Sequence, residues 1–213
     1  MEGRQIIKPP DKRLLARGEQ LIERLGERRT CVIRQLSADW SEEMGFGRWL
    51  GNPKTSLRWL LGQVRSGFGR DRLASSPHVL CIQDTSTIGF KANVGRKTGL
   101  KHIGTGESGA GFLIHPTLLL DGGDGRCLGL GDLDIFDQWA AIGGKGAVRQ
   151  LEAGEKKTGR WLSAGRRVRD QIGGERQLAH IADREADFYE MLVEFGQNRH
   201  PNEHLALRVN EDR

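Results

Sequence analysis

In the stretch KRLLARGEQLIERLGER, the apolar residues Leu14, Leu15, Leu21, Ile22 and Leu25 recur at spacings that share one helical face, with Arg13, Arg17, Arg24 and Arg28 between them. The pattern predicts an amphipathic helix. CVIRQL then reads as a short extended piece, and ADWSEEMGFGRWL as a second helix that Asn52 and Pro53 break. Ser56 to Val64 gives a third helix, with Gly67 and Gly69 marking a linker beyond it. Trp40, Trp49 and Trp59 are assigned to the small core that these helices share.

From residue 78 the period changes. HVLCIQDTSTIGF is an apolar run meeting Asp84 and then Thr and Ser, which reads as a central strand. FLIHPTLLLDG and CLGLGDLDIF predict two more strands, and DGGDGR between them favours a tight reversal. A Gly-rich connection follows. EKKTGRWLSAGRRVRDQI reads as a helix with Trp161, Leu162, Val168 and Ile172 on its buried side. LAHIA supplies a fourth strand, a helix runs from about Glu185 to Phe195, and HLALRVN gives a fifth strand. Three strands, helix, strand, helix, strand is the order of the RNase H-like topology, an α/β class with a mixed sheet.

Charge divides the chain at the same place. The first 75 residues carry 15 Lys and Arg against 9 Asp and Glu, whereas the remainder carries 18 against 19. All the positive excess therefore lies in the helical third. This supports a basic binding module over 1–75 ahead of a near-neutral body over 76–213, with a solvated helical surface as the alternative. Arg13, Arg17, Arg48, Asn52, Lys54 and Arg58 are its candidate contacts to a phosphate backbone.

Other classes are narrowed by what the sequence lacks. No apolar stretch approaches the roughly 20 residues of a membrane span, and MEGRQIIKPPDKR lacks the apolar core of a signal peptide, so a cytoplasmic protein is expected. Cys31, Cys81 and Cys127 are odd in number and widely spaced, which reads as reduced core residues. The six His residues, 78, 102, 115, 180, 200 and 204, show no metal-ligand spacing; His115 and His180 are expected to be packed side chains. GTGESG over 104–109 matches GxGxxG but precedes an apolar run instead of opening a helix, and reads as a loop. No GxSxG occurs.

Two carboxylates remain. Asp84 interrupts the first strand and Asp183 ends the fourth, and in the topology above those strands are neighbours. A bare carboxylate pair repels itself unless a cation lies between, and Mg²⁺ (or Mn²⁺) suits oxygen ligands that also face a phosphate.

These residues carry a resemblance. IQDTSTIGF and IADREADFYEML, the latter with DREAD intact from Asp183 to Asp187, resemble the segments that hold the first two catalytic acids of bacterial insertion-sequence DDE transposases. GLKHIGTGESGAGFLIHPTLLLD, CLGLGDLDIFDQW and GEKKTGRWL resemble further family segments in the same order, and DKRLLAR and GRWLGNPKTS resemble pieces of its end-binding helical domain. The likeness covers nearly the whole chain. It implies a small helical DNA-binding domain at 1–75 followed by an RNase H-like catalytic core at 76–213, with Asp84 and Asp183 as catalytic metal ligands. The implied partner is double-stranded DNA at transposon terminal inverted repeats, and the resemblance allows for dimerisation on DNA. The implied chemistry is metal-assisted phosphodiester cleavage and strand transfer.

The family's third carboxylate, a Glu beyond a strand-rich insertion, has no counterpart here. Glu190 and Glu194 follow Asp183 too closely, and Glu203 and Glu211 flank the last strand. The expectation is an incomplete core with two of three ligands, poorly active alone. The alternative is a non-catalytic DNA-binding remnant that inhibits full-length transposase. Arg184, Glu185 and Asp187 are given structural roles, the acids favouring a helix start.

Overall fold

A computed structural model of the protein describes residues 11–67, 73–90, 101–102, 110–136 and 159–209. The chain separates into two compact units, Met1–Gln63 and Val64–Arg213, where the sequence pattern placed the boundary at 75.

The first unit is helical: α1 (Lys12–Arg28), α2 (Ile33–Leu36), α3 (Trp40–Leu50) and the start of α4 (Leu57–Gly67). Asp11 begins α1 by accepting from the backbone N–H groups of Arg13 at 3.0 Å and Leu14 at 3.1 Å. Asp39 starts α3 by accepting from Glu42 N–H at 2.8 Å, and the Glu42 carboxylate in turn accepts from Ala38 N–H. Leu21, Leu36, Phe46, Trp49 and Trp59 make the core. The Trp49 indole donates to the Leu14 carbonyl at 2.7 Å, and a Cβ at Gly18 would come within 2.7 Å of the same ring. Only glycine lets α1 and α3 approach this closely.

Three expectations for this unit are corrected. CVIRQL is not extended throughout, because Ile33 and Leu36, three apart, meet the core as one helical turn. Trp40 is 73% exposed, since the buried stripe of α3 runs through Glu42, Phe46 and Trp49 and leaves it outside. On α1, Ile22 and Leu25 are likewise exposed while Gly18 and Leu21 are buried.

In the second unit, β1 (His78–Gln83), β2 (Ser86–Gly89), β3 (Lys101–His102), β4 (Ala110–Asp121), β5 (Cys127–Phe136), β6 (Gln177–Ala182) and β7 (Glu203–Leu207) form one mixed sheet. Its order is β2-β4-β1-β6-β7, with β3 and β5 also paired to β4. β4 is antiparallel to β1, and β6 is parallel to both β1 and β7. Residues 122–126 make the tight reversal, where the Asp121 carboxylate accepts from Gly123 N–H at 2.8 Å and Gly125 takes φ 74°.

Alternation decides which side is covered. Val79, Cys81, Leu119 and Leu178 point to one face, against Val168 and Ile172 of α5 (Gly159–Ile172). Trp161 and Leu162 of α5 pack with Ala182, Ala186 and with Met191 and Phe195 of α6 (Tyr189–Gln197). A Cβ at Gly131 would lie 3.0 Å from both Leu119 and Val168, so the glycine admits α5 to the sheet.

The expected first strand is two strands. β1 and β2 pair with β4 in one shared register, so that Asp84 and Thr85 between them fall opposite Pro116 and His115. Pro116 has no N–H to contribute to a ladder. The expected helix from Glu185 is also divided, into a 3₁₀ turn over Arg184–Ala186 and then α6. Of the cysteines, all free, only Cys81 is a core residue; Cys31 and Cys127 are exposed. GTGESG, the Gly-rich connection with EKKT, Gly69 and Glu211 lie outside the described residues. Among the described residues, no helix is long and apolar enough to cross a membrane.

Candidate functional site

β1 and β6 run parallel, with Val79 beside Leu178 and Ile82 beside Ile181. Carried two residues further, this register sets Asp84 beside Asp183, each the first residue past its strand. Parallel strands lie about 4.8 Å apart, so two like charges stand at neighbouring strand ends. Both side chains are exposed. Each is oriented by its own turn: Asp84 accepts from Thr85 N–H at 2.7 Å, and Asp183 accepts from Glu185 N–H at 2.9 Å.

Behind the pair lies Arg160, in the first turn of α5, its side chain 6% exposed. Its Nε donates to Thr85 Oγ1 at 2.9 Å and its terminal nitrogen to Glu185 at 2.7 Å. Burial pulls the guanidinium pKa down, while Glu185, Asp183 and Asp84 push it back up. The guanidinium carbon is 5.8 Å from the Phe136 ring centroid.

Thr85 passes the arrangement inward. His115 Nδ1 is 3.0 Å from Thr85 Oγ1, and its Nε2 is 3.1 Å from Gln83 Oε1. Because the Gln83 oxygen can only accept, Nε2 carries the ring proton, Nδ1 accepts from the Thr85 hydroxyl, and the hydroxyl accepts from Arg160. Burial first, and Arg160 second, lower the His115 pKa to about 4, which keeps the ring neutral. The ring also meets Trp161 edge-on at 4.6 Å.

Four other acids of this unit are engaged elsewhere. Glu194 is bonded by Arg166 at 2.6 and 3.0 Å and by Arg169 at 3.1 Å, and the Arg166 bonds outweigh burial to hold its pKa down at about 2. Burial raises the Glu203 pKa, yet the bonds from His180 at 2.8 Å and His200 N–H at 3.1 Å bring it below the usual value; Arg169 adds a contact at 3.0 Å. Asp132 and Asp134 share Arg167. No group of three or more His, Cys, Asp or Glu side chains suited to a metal ion occurs among the described residues. Asp84 and Asp183 present exposed carboxylate oxygens, the donor type that hard divalent ions take.

Sequence reasoning missed Arg160 and its bond to Glu185. A signal was available: Arg160 falls on the stripe of Ala164 and Val168, four and eight residues on, where an apolar residue is expected. Glu185, read as a helix start, instead belongs to the 3₁₀ turn and binds that arginine.

In the helical unit, Arg13, Arg48 and Lys54 are exposed. Arg13 and Arg17 are four apart on α1, and Arg48 lies in the last turn of α3. Arg17 is half-buried, bonds Gln20 at 2.9 Å and packs over Gly45, where a Cβ would lie 3.1 Å from its guanidinium carbon. Asn52 shapes the turn after α3 by accepting from Lys54 N–H at 2.9 Å. Arg24 is tied to Glu27 and Glu42. No protein-family model matches the sequence.

Proposed function

We propose that this chain is a DDE-type protein of DNA transposition, with a helical domain that binds transposon terminal repeats and an RNase H-like core that carries two of the family's three acids and so cleaves DNA poorly by itself. The observation that supports the reading is the strand register: β6 leads into DREAD at Asp183, and its parallel neighbour β1, paired as far as Ile82 beside Ile181, leads into Asp84. In this reading Asp84 and Asp183 hold Mg²⁺ or Mn²⁺, which when bound supplies a Lewis acid for attack on a phosphodiester. The acids lie at the C-terminal ends of parallel strands, the usual place for a site on an open α/β sheet.

The chain's own residues do the rest. Arg13, Arg48 and Lys54 contact backbone phosphates, while Arg17 and Asn52 brace the helices that present them. Arg160 offsets the charge of the acid pair, and neutral His115 fixes Thr85 without adding a second cation.

The experiment is a binding and nicking series on double-stranded terminal-repeat DNA, with scrambled DNA as control. The reading expects preference for the repeat, little nicking by this chain alone, and a Mn²⁺-dependent gain in binding that Asp84→Ala abolishes. Equal binding to both DNAs, with no Mn²⁺ response, rejects it.

A further inference from the structure

A single guanidinium touches both acid-bearing segments. Arg160 donates through Nε to Thr85, the residue after Asp84, and through its terminal nitrogen to Glu185, two residues after Asp183. These donors belong to one rigid plane, so the two bonds fix the segments relative to each other. Each segment is also closed on its acid, since Thr85 N–H is bonded to Asp84 and Glu185 N–H to Asp183. On the other side, Thr85 is held by His115, and His115 by Gln83 at the end of β1.

We infer that Arg160 is a positioning residue, coupling the loop after β1 to the turn after β6 and so setting how Asp84 and Asp183 face each other. The inference rests on the metal-ligand reading of that pair. Its position argues for more than packing. Ala164 and Val168 share its stripe and are fully buried, so an apolar residue would satisfy the interior, whereas a buried guanidinium has a desolvation cost. What the arginine adds is a fork reaching two loops that carry like charges, and the link between Thr85 and Glu185 runs through its two bonds.

The test is Arg160→Lys in the full chain, which keeps the charge but loses the planar fork. Amide hydrogen exchange without metal reads the coupling: Thr85 and Glu185 should speed up together, while the strand amides of Cys81 and His180 keep their rates. Acceleration in one segment alone, or in neither, overturns the inference. Mn²⁺ and Ca²⁺ titrations read the consequence. Mn²⁺ affinity should weaken roughly tenfold, with less loss for Ca²⁺, whose coordination is more tolerant; an unchanged Mn²⁺ to Ca²⁺ ratio also overturns it. Should Arg160→Lys fail to fold, Thr85→Val removes one anchor with no change of charge and should show the same paired acceleration. If the unaltered chain takes up no Mn²⁺, the metal reading fails, and the exchange result alone decides the coupling.

Discussion

Asp84 and Asp183 each stand just past the end of a strand, on the neighbouring parallel strands β1 and β6, two residues beyond the paired Ile82 and Ile181. Two apolar runs, HVLCIQ and QLAHIA, align from His78 beside Gln177 to Ile82 beside Ile181, and an acid follows each of them. Their separation in sequence is bridged by hydrogen-bonded register, which fixes the pairing of every residue once one pair is set.

Acid should weaken the fold in two stages. The His115 pKa is depressed to about 4, so its contribution is complete above its ordinary value near 6.5 and is lost as pH falls toward 4. The loss is on the order of 3 kcal/mol. Glu194, depressed to about 2, contributes above its ordinary value of 4.5 and loses that contribution as pH falls through 2. Urea melts across this range check the first stage: His115→Phe should flatten it, and an unchanged slope counts against the assignment.

Glu203 is buried with His180 and Arg169 on it. Glu203→Ala strands the buried His180 and leaves Arg169 with Glu194 as its remaining carboxylate, and should cost about 3 kcal/mol in denaturant unfolding of the second unit. A loss under about 1 kcal/mol would show the charges to be solvated after all.

Gly18→Ala tests the helical core with a sign. In an ordinary helix interior the change stabilises by about 1 kcal/mol. Here the added Cβ meets the Trp49 ring, so destabilisation of about 1 to 3 kcal/mol is expected in thermal melts.

DNA affinity should fall steeply with salt. Arg13→Glu and Arg48→Glu should each weaken binding and lower the salt slope by about 1, whereas Arg24→Ala, whose guanidinium is occupied by Glu27 and Glu42, should leave the slope unchanged. A gel-shift series over ionic strength checks this, and salt-independent binding rejects the assignment.

Elements with strong apolar period were legible from the sequence. KRLLARGEQLIERLGER is α1 residue for residue, and β4, β5 and β6 fall where the apolar runs predict. Elements set by tertiary contact were not. The first strand breaks at Asp84 opposite Pro116, a partner more than thirty residues away. Ile33–Leu36 turns helical to reach a core shared with Leu21 and Phe46. Of the site, the two acids were visible because charge ends an apolar run. Arg160 was not, because its partners Thr85 and Glu185 lie on segments that only the sheet brings together.

The central claim is that Asp84 and Asp183 act as one pair toward a divalent ion. Titration of the purified chain with Mn²⁺, tracking the free ion by electron paramagnetic resonance, tests it in the unaltered protein, Asp84→Asn and Asp183→Asn. Uptake by the first and its loss in both variants is the predicted result; uptake that survives in either variant, or no uptake at all, contradicts the claim.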